Sequence, residues 1–296
     1  MTKTLLVTGA SGHLGRAVIK HLLGEQKVGP ANIIATTRNP ENLADLAALG
    51  VTVRAADFDD QASLAKAFTG ADRVLIISTN ELAIQGKRRE QQLAAVAAAS
   101  KAGVGHLLYT SMPDPEPGSP VVFAPDHYDT EQAIKASGIP YTIFRNGWYD
   151  ENLFMGLPQV LASGHWYTSA GDGAISYGSR DDYAAAIAGG LASDTRESTT
   201  YTLTGPKAYT TAEVAGFVTE ITGKPIQIVQ LSDDALATGL KAAGVPDFLA
   251  KALVSFDAVT RAGGLGMVTD SVEKLSGRKS VSLKQFVEAN KAALLG

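Results

Sequence analysis

Thr4-Leu5-Leu6-Val7-Thr8-Gly9-Ala10-Ser11-Gly12-His13-Leu14-Gly15 carries a short apolar, β-prone run straight into glycines spaced G-x-x-G-x-x-G. Leu14, Ala17, Val18 and Leu22 then recur at i, i+3, i+4 and i+8, one apolar stripe of an amphipathic helix, with Gly24 suited to its C-terminal cap. A strand, a glycine turn and a helix in this order form the context in which glycines read as a phosphate cradle. One glycine serves the tight turn, one lets backbone N–H groups come up to a pyrophosphate, and Gly15 permits close packing of helix on strand. A pyrophosphate would then sit against the unpaired N–H groups and positive dipole end of the helix.

Outward from this motif, β-rich runs at 4–8, 33–37, 51–55, 73–78, 106–110 and 141–144 alternate with helical patterns near 41–49, 61–69, 82–102 and 127–137. Such alternation predicts βαβ units and a parallel sheet. Asp60 is the expected N-cap of the helix at 61–69, and Gly70 closes it. The run Ser111-Met112-Pro113-Asp114-Pro115-Glu116-Pro117-Gly118-Ser119-Pro120 is too rich in turn formers for helix or central strand and reads as a loop. Beyond 150, Gly164, Gly171, Gly173 and Gly178 interrupt the pattern before an alanine-rich helix that follows Asp181-Asp182-Tyr183. A strand at 200–204, a helix at 211–222, a strand at 226–230 and helices at 233–243 and 246–261 follow. The expected fold class is α/β: a Rossmann-type doubly wound parallel sheet in 1–150, and a smaller α/β part in 151–296 that covers the ligand cleft and returns some segments to the core.

Composition narrows the function classes. The chain has 296 residues, 45% hydrophobic and 19% charged, a globular balance, and no apolar run reaches the roughly 20 residues of a membrane-spanning helix. The first eight residues read as strand rather than signal peptide. Absence of cysteine excludes a disulfide framework, a thiolate zinc site and a catalytic thiol, and fits a reducing, cytoplasmic setting. With a net charge of −4 and Lys87-Arg88-Arg89 as the one dense basic cluster, which reads as a solvated helix face, nucleic acid is not an expected partner. A small molecule is; whether two chains pair as a homodimer is not written in the sequence.

Cofactor choice is read after the second strand, at Thr36-Thr37-Arg38-Asn39-Pro40. A carboxylate there would hold the ribose 2′-hydroxyl of NAD, whereas an arginine accommodates the 2′-phosphate of NADP. Arg38 offers a planar cationic fork and no carboxylate competes before Glu41, so NADPH is expected. Asp57, past the third strand, stands where an adenine amino group could be met, or is a solvated turn residue. Ser78-Thr79-Asn80, after the fourth, borders the crevice where open α/β sheets gather their ligands.

Taken with Tyr109-Thr110-Ser111, Tyr141-Thr142-Ile143-Phe144-Arg145-Asn146-Gly147-Trp148-Tyr149, Ala170-Gly171-Asp172-Gly173 and Arg180-Asp181-Asp182-Tyr183-Ala184, the chain resembles the atypical, NmrA-like branch of the short-chain dehydrogenases, and within it the type-2 NADPH:quinone oxidoreductases. The triphenylmethane reductases look like near relatives. Arg-Asn-Gly-Trp-Tyr discriminates most, because the glycine motif is common to the superfamily. The resemblance implies NADPH bound by Gly9, Ala10, Ser11, Gly12, His13, Leu14, Arg38, Ser78, Thr79, Asn80 and Ser111, with Ile143, Phe144, Arg145, Asn146, Gly147 and Trp148 at the nicotinamide end. Asn146, Trp148, Tyr149 and His127 are the substrate-side candidates.

One departure is informative. The superfamily's Tyr-x-x-x-Lys uses a lysine cation to ease a proton from the tyrosine to a carbonyl product. Here the chain reads Tyr128-Asp129-Thr130-Glu131-Gln132, without the lysine. That argues against an ordinary ketone reductase and favours acceptors such as quinones, whose reduced form is a delocalised phenolate that water protonates, or cationic dyes, which need no proton. His127 and Glu131, at i and i+4, lack a third ligand at metal spacing, and no metal is expected. The rival reading, from another class, is a non-catalytic, dinucleotide-sensing regulator of the NmrA type, which would share the glycine motif.

Overall fold

Leu5–Val7 (β1) has a parallel neighbour on each side: Ile33–Thr37 (β2), with Ala35 opposite Val7, and Arg73–Ile76 (β4), with Leu75 opposite Val7. The computed structural model describes residues 3–295, so Met1 and Thr2, read with the first strand, lie outside the described residues. Thr52–Ala55 (β3) pairs with β2, His106–Ser111 (β5) with β4, and Tyr141–Asn146 (β6) with β5. The seventh strand, Thr199–Leu203 (β9), arrives late in the chain beside β6, giving the order β3-β2-β1-β4-β5-β6-β9 with every neighbouring pair parallel. The order reverses between β1 and β4, the point where two adjacent crossovers leave to opposite sides and open a crevice at the carboxyl ends.

Alternation along the strands builds two cores. Leu5, Val7, Ile33, Ala35, Leu75, Leu108 and Phe144 face one layer of helices, including His13–Leu23 (α1), Ala44–Ala48 (α2), Arg180–Ala192 (α7) and Ser271–Ser276 (α11). Leu6, Ile34, Val74, Ile76, Leu107, Tyr109 and Ile143 face the other, Gln61–Phe68 (α3), Lys87–Lys101 (α4) and Ala124–Ala136 (α5). A sheet covered on both faces needs apolar residues at successive positions, which is why β1, β2 and β4 are buried throughout. Close approach on the first face depends on α7: a Cβ on Gly190 would lie 2.7 Å from the Phe144 ring, and one on Gly189 2.0 Å from the Leu275 carbonyl oxygen.

A third, smaller core lies over the later residues. Leu157–Ser163 (α6), Thr211–Thr222 (α8), Leu283–Ala289 (α12) and Lys291–Leu295 (α13) contribute Leu157, Leu161, Phe217, Val218, Phe286 and Leu294 to it. Two short sheets lie in the same part: His165–Thr168 (β7) runs parallel to Gln227–Gln230 (β11), and Ala174–Ile175 (β8) antiparallel to Tyr209–Thr210 (β10). Asp233–Ala242 (α9) and Asp247–Arg261 (α10) complete the α-helices of the described residues.

Most differences from the sequence reading have local causes. The helix expected from 82 starts at Lys87, because Gly86 enters it with φ +78°. The one expected from 127 starts at Ala124, with Pro125 in the first turn, where a missing N–H costs nothing. β6 continues through Asn146 because Leu203 of β9 pairs with it. Asp60 caps α3 through the Ala62 and Ser63 amides, as expected, and Gly24 ends α1 in a right-handed rather than left-handed conformation. The elements α6, β7, α11, α12 and α13 had no clear pattern: each is at most seven residues long.

Candidate active site

The expected site residues share one edge. Gly9–Leu14 follows β1, Arg38 follows β2, Asp57 follows β3, Ser78–Asn80 follows β4, Ser111 ends β5 and Asn146–Tyr149 ends and follows β6. Gly9 has φ +58°, the left-handed region that suits glycine in a tight turn, and its carbonyl accepts from the Gly12 amide at 2.9 Å. A Cβ on Gly15 would lie 2.4 Å from that same carbonyl oxygen, so the third glycine lets the helix close on the loop. Gly9, Ser11, Gly12 and His13 are exposed, and no side chain caps the α1 N-terminus. The Ala10 and Gly12 amides are spent on the Thr36 and Gly9 carbonyls, whereas those of Ser11, His13 and Leu14 bond no backbone acceptor among the described residues and can be offered to an anion.

Ser11 is hydrogen-bonded to Thr37 at 2.9 Å, tying the glycine loop to the end of β2. One residue on, Arg38 is exposed and has no ion pair among the described residues, while nearby Arg16 is held by Asp45 at 2.7 Å. Asp57 accepts from the Asp59 amide and so shapes its own turn. The Ser78 amide donates to the Thr110 hydroxyl at 2.9 Å, which fixes the loop leaving β4. Gly and Arg positions thus match a dinucleotide with a 2′-phosphate on the donor set they offer.

Not every expected residue reaches the crevice with its side chain. Ile143 and Phe144 are fully buried on opposite faces of the sheet, so only their main chain is available. Arg145 donates to both oxygens of the fully buried Glu131, at 3.0 and 2.8 Å, and to Glu116, and Ser111 donates to Glu131 at 2.7 Å. Both side chains are committed to an ion-pair network that locks β5 and β6 to α5. Gly147 is needed for packing: a Cβ there would lie 2.8 Å from the Tyr183 hydroxyl. His127 is also displaced from its expected place. It is 3% exposed and bonded to Arg88 and Tyr109, whereas Glu131 belongs to the Arg145 network, so the pair diverges. Among the described residues no group of three potential ligands could hold a metal.

Asn146, Trp148 and Tyr149 do come together. Asn146 donates its amide to the Tyr149 hydroxyl at 3.0 Å, leaving its buried Oδ1 and the phenolic proton without partners among the described residues. An unpaired acceptor beside an unpaired donor is the complement of a carboxamide. Burial raises the Tyr149 pKa, so the phenol keeps its proton, and Arg180 lies 5.2 Å from the ring centre. Trp148 is half-buried, with the Phe256 ring edge-on at 4.2 Å, and it also packs on the third core.

The NmrA-like family model matches residues 1–288. The chain belongs to the NmrA-like family. Curated relatives include quinone oxidoreductase 2 of Escherichia coli, 38% identical over 96% of this chain and 97% of that protein. An NAD(P)H azoreductase of Xenophilus azovorans is 28% identical over 98% of each. Among solved structures, the NADPH complex of the E. coli quinone oxidoreductase superposes with a TM-score of 0.91 at 38% identity, covering 96% of this chain and 99% of that one. The NADP(H) complex of Citrobacter triphenylmethane reductase gives 0.88 at 35% identity, with the same coverage.

Two features of this NmrA-like site were illegible in the sequence. The Arg88–His127–Tyr109 cluster joins three elements whose sequence patterns showed only a charged helix face, a helix turn and a core strand. Asp150, fully buried after the Asn146–Tyr149 run, has no hydrogen-bond partner on either carboxylate oxygen among the described residues. No spacing announces either one.

Proposed function

We propose that this protein is an NADPH-dependent oxidoreductase that passes hydride to quinones or similarly planar electron acceptors. The observation that carries the reading is the open glycine cradle beside an unpaired Arg38, in a chain 38% identical to a quinone oxidoreductase along nearly its whole length. NADPH, when bound, supplies a hydride. The protein's own residues hold and place the reactants: the α1 amides meet the pyrophosphate, Arg38 the 2′-phosphate, and the Asn146–Tyr149 pair the carboxamide. Trp148 and the later part of the chain border the acceptor and exclude water. Position 132 is an exposed glutamine, so no lysine attends Tyr128. The rate then rests on contact geometry rather than on a proton relay. A regulator that only senses the dinucleotide gains no support from relatives that are reductases.

The test is NADPH oxidation against a panel of quinones, cationic dyes and aldehydes. Turnover of quinones without turnover of aldehydes is expected; aldehyde reduction alone, or tight NADPH binding with no acceptor reduced, overturns the reading.

A further inference from the structure

Arg88, in the first turn of α4, is 6% exposed, yet no carboxylate bonds it among the described residues. Buried arginines are ordinarily paired, because an uncompensated cation loses its hydration without replacement. Here Nε donates to the Thr79 carbonyl at 2.7 Å and Nη2 to His127 Nε2 at 2.7 Å, while the Phe123 ring centre lies 4.9 Å from the guanidinium carbon. The remaining nitrogen, Nη1, bonds no protein atom and is not sealed from solvent.

The partners fix a direction. Arginine can only donate, so His127 Nε2 accepts and Nδ1 carries the proton toward the Tyr109 hydroxyl at 2.8 Å, which in turn donates to Gln92 at 2.6 Å. Burial and the adjacent guanidinium hold His127 far below the usual imidazole range, which keeps it neutral. The whole chain is arranged around one positive charge, and its first link is the carbonyl of Thr79, in the loop leaving β4 at the crevice. Toward the acceptor side, the Phe123 ring that meets the guanidinium stands edge-on to Phe256 at 5.5 Å, and Phe256 edge-on to Trp148 at 4.2 Å, so aromatic rings link the charge to the Trp148 wall.

Resting on the quinone-reductase reading, we infer that Arg88 is an electrostatic positioning residue for hydride transfer, supplying the positive field that favours an acceptor becoming an anion. The quinone takes a hydride, two electrons and one proton, on a carbonyl oxygen: an O–H bond forms as the C4–H bond of the dihydronicotinamide breaks. NADPH is oxidised to NADP+, the quinone is reduced to the hydroquinone monoanion, and water supplies the second proton. Charge grows on the acceptor during this step, and a preorganised cation on that side stabilises it. A cationic dye taking the same hydride becomes neutral and gains nothing from that cation.

This difference gives the test. Arg88→Met should lower quinone kcat by about a hundredfold, the scale of losing one preorganised donor, while cationic-dye reduction falls by less than about threefold and NADPH affinity stays within a few-fold. Arg88→Lys, which restores charge without the fork, should recover most of the quinone-to-dye ratio. Equal losses with both acceptors would mean a merely structural residue and overturn the inference. If Arg88→Met does not fold, Arg88→Gln, which keeps a donor for Thr79 without the charge, takes its place. A binding measurement needs no turnover: the NADP+ complex of the parent should prefer an ionised hydroxynaphthoquinone over its methyl ether, and Arg88→Met should lose that preference. An unchanged preference overturns the inference even if the enzyme reading stands, whereas a parent that reduces no acceptor overturns the enzyme reading itself.

Discussion

At the scale of single residues, charge and burial decide most of what can be tested. Arg38 is exposed and unpaired, so its fork is free for a phosphate, and a charge-assisted contact of that kind contributes on the order of 1.5–3 kcal/mol. Arg38→Ala should therefore weaken NADPH binding by about ten- to a hundredfold and leave NADH binding nearly unchanged; titration of both cofactors checks this, and equal losses would remove Arg38 from the phosphate site. Asp150 makes the opposite case, a carboxyl that burial, with Glu151 and Asp182 nearby, pushes up to about 8. The folded chain thus keeps a proton that the unfolded chain releases above its ordinary range near 3.8, so this group's contribution to stability falls as pH rises from about 4 to about 8. Asp150→Asn should remove that loss: its gain in urea midpoint over the parent grows from pH 5 to pH 8.5, and a gain independent of pH would show that Asp150 does not titrate in the fold. Arg38 is readable from its place after a strand, but Asp150 is not, because only folding buries it and brings Asp182 to it.

At the scale of elements, the glycine turn and its helix act as one device. Gly12 stands at the α1 N-cap, exposed, and an added Cβ would meet nothing nearer than the Gly9 carbonyl oxygen at 3.3 Å. A larger side chain therefore needs the Gly9 carbonyl to give by only a few tenths of an ångström, but it takes the space of a pyrophosphate. Gly12→Val should abolish NADPH binding while the thermal midpoint shifts by only a few degrees, the scale of about 1 kcal/mol; retained binding in the folded variant would mean that the phosphate does not sit on this loop. The first six strands are legible, since β-rich runs alternate there with helical patterns, but their order in the sheet is not. The seventh reads as a strand without a place, because nothing in Thr-Thr-Tyr-Thr-Leu names Tyr141–Asn146 as its neighbour. Likewise α7 reads as an alanine-rich helix, while the reason for Gly189 and Gly190 lies in Leu275 and Phe144, distant in sequence.

At the scale of the whole molecule, the question is how the later residues meet the sheet's carboxyl edge, and Trp148 is where they do. Its ring touches Phe256 of α10 and packs on the third core, two residues after Asn146 offers an unpaired oxygen. The sequence presented it as a wall for a planar acceptor; the structure makes it a joint between wall and core. Both roles have measurable shares. Removing a half-buried indole leaves a cavity costing on the order of 1–3 kcal/mol, less than a fully enclosed aromatic, and it also frees Phe256 to move away from the edge. A reaction that depends on contact geometry loses rate when such a surface shifts by an ångström, whereas the proposed phosphate site after β1 and β2, across the switch point from β6, should not feel it. Trp148→Ala should therefore lower quinone kcat/KM at least about tenfold and lower the unfolding midpoint modestly, with NADPH affinity within a few-fold of the parent. Trp148→Phe separates the shares: it refills part of the joint, so stability should return further than turnover does. Recovery of both in parallel would make Trp148 a packing residue only, and unchanged turnover in Trp148→Ala would place the acceptor elsewhere on the carboxyl edge.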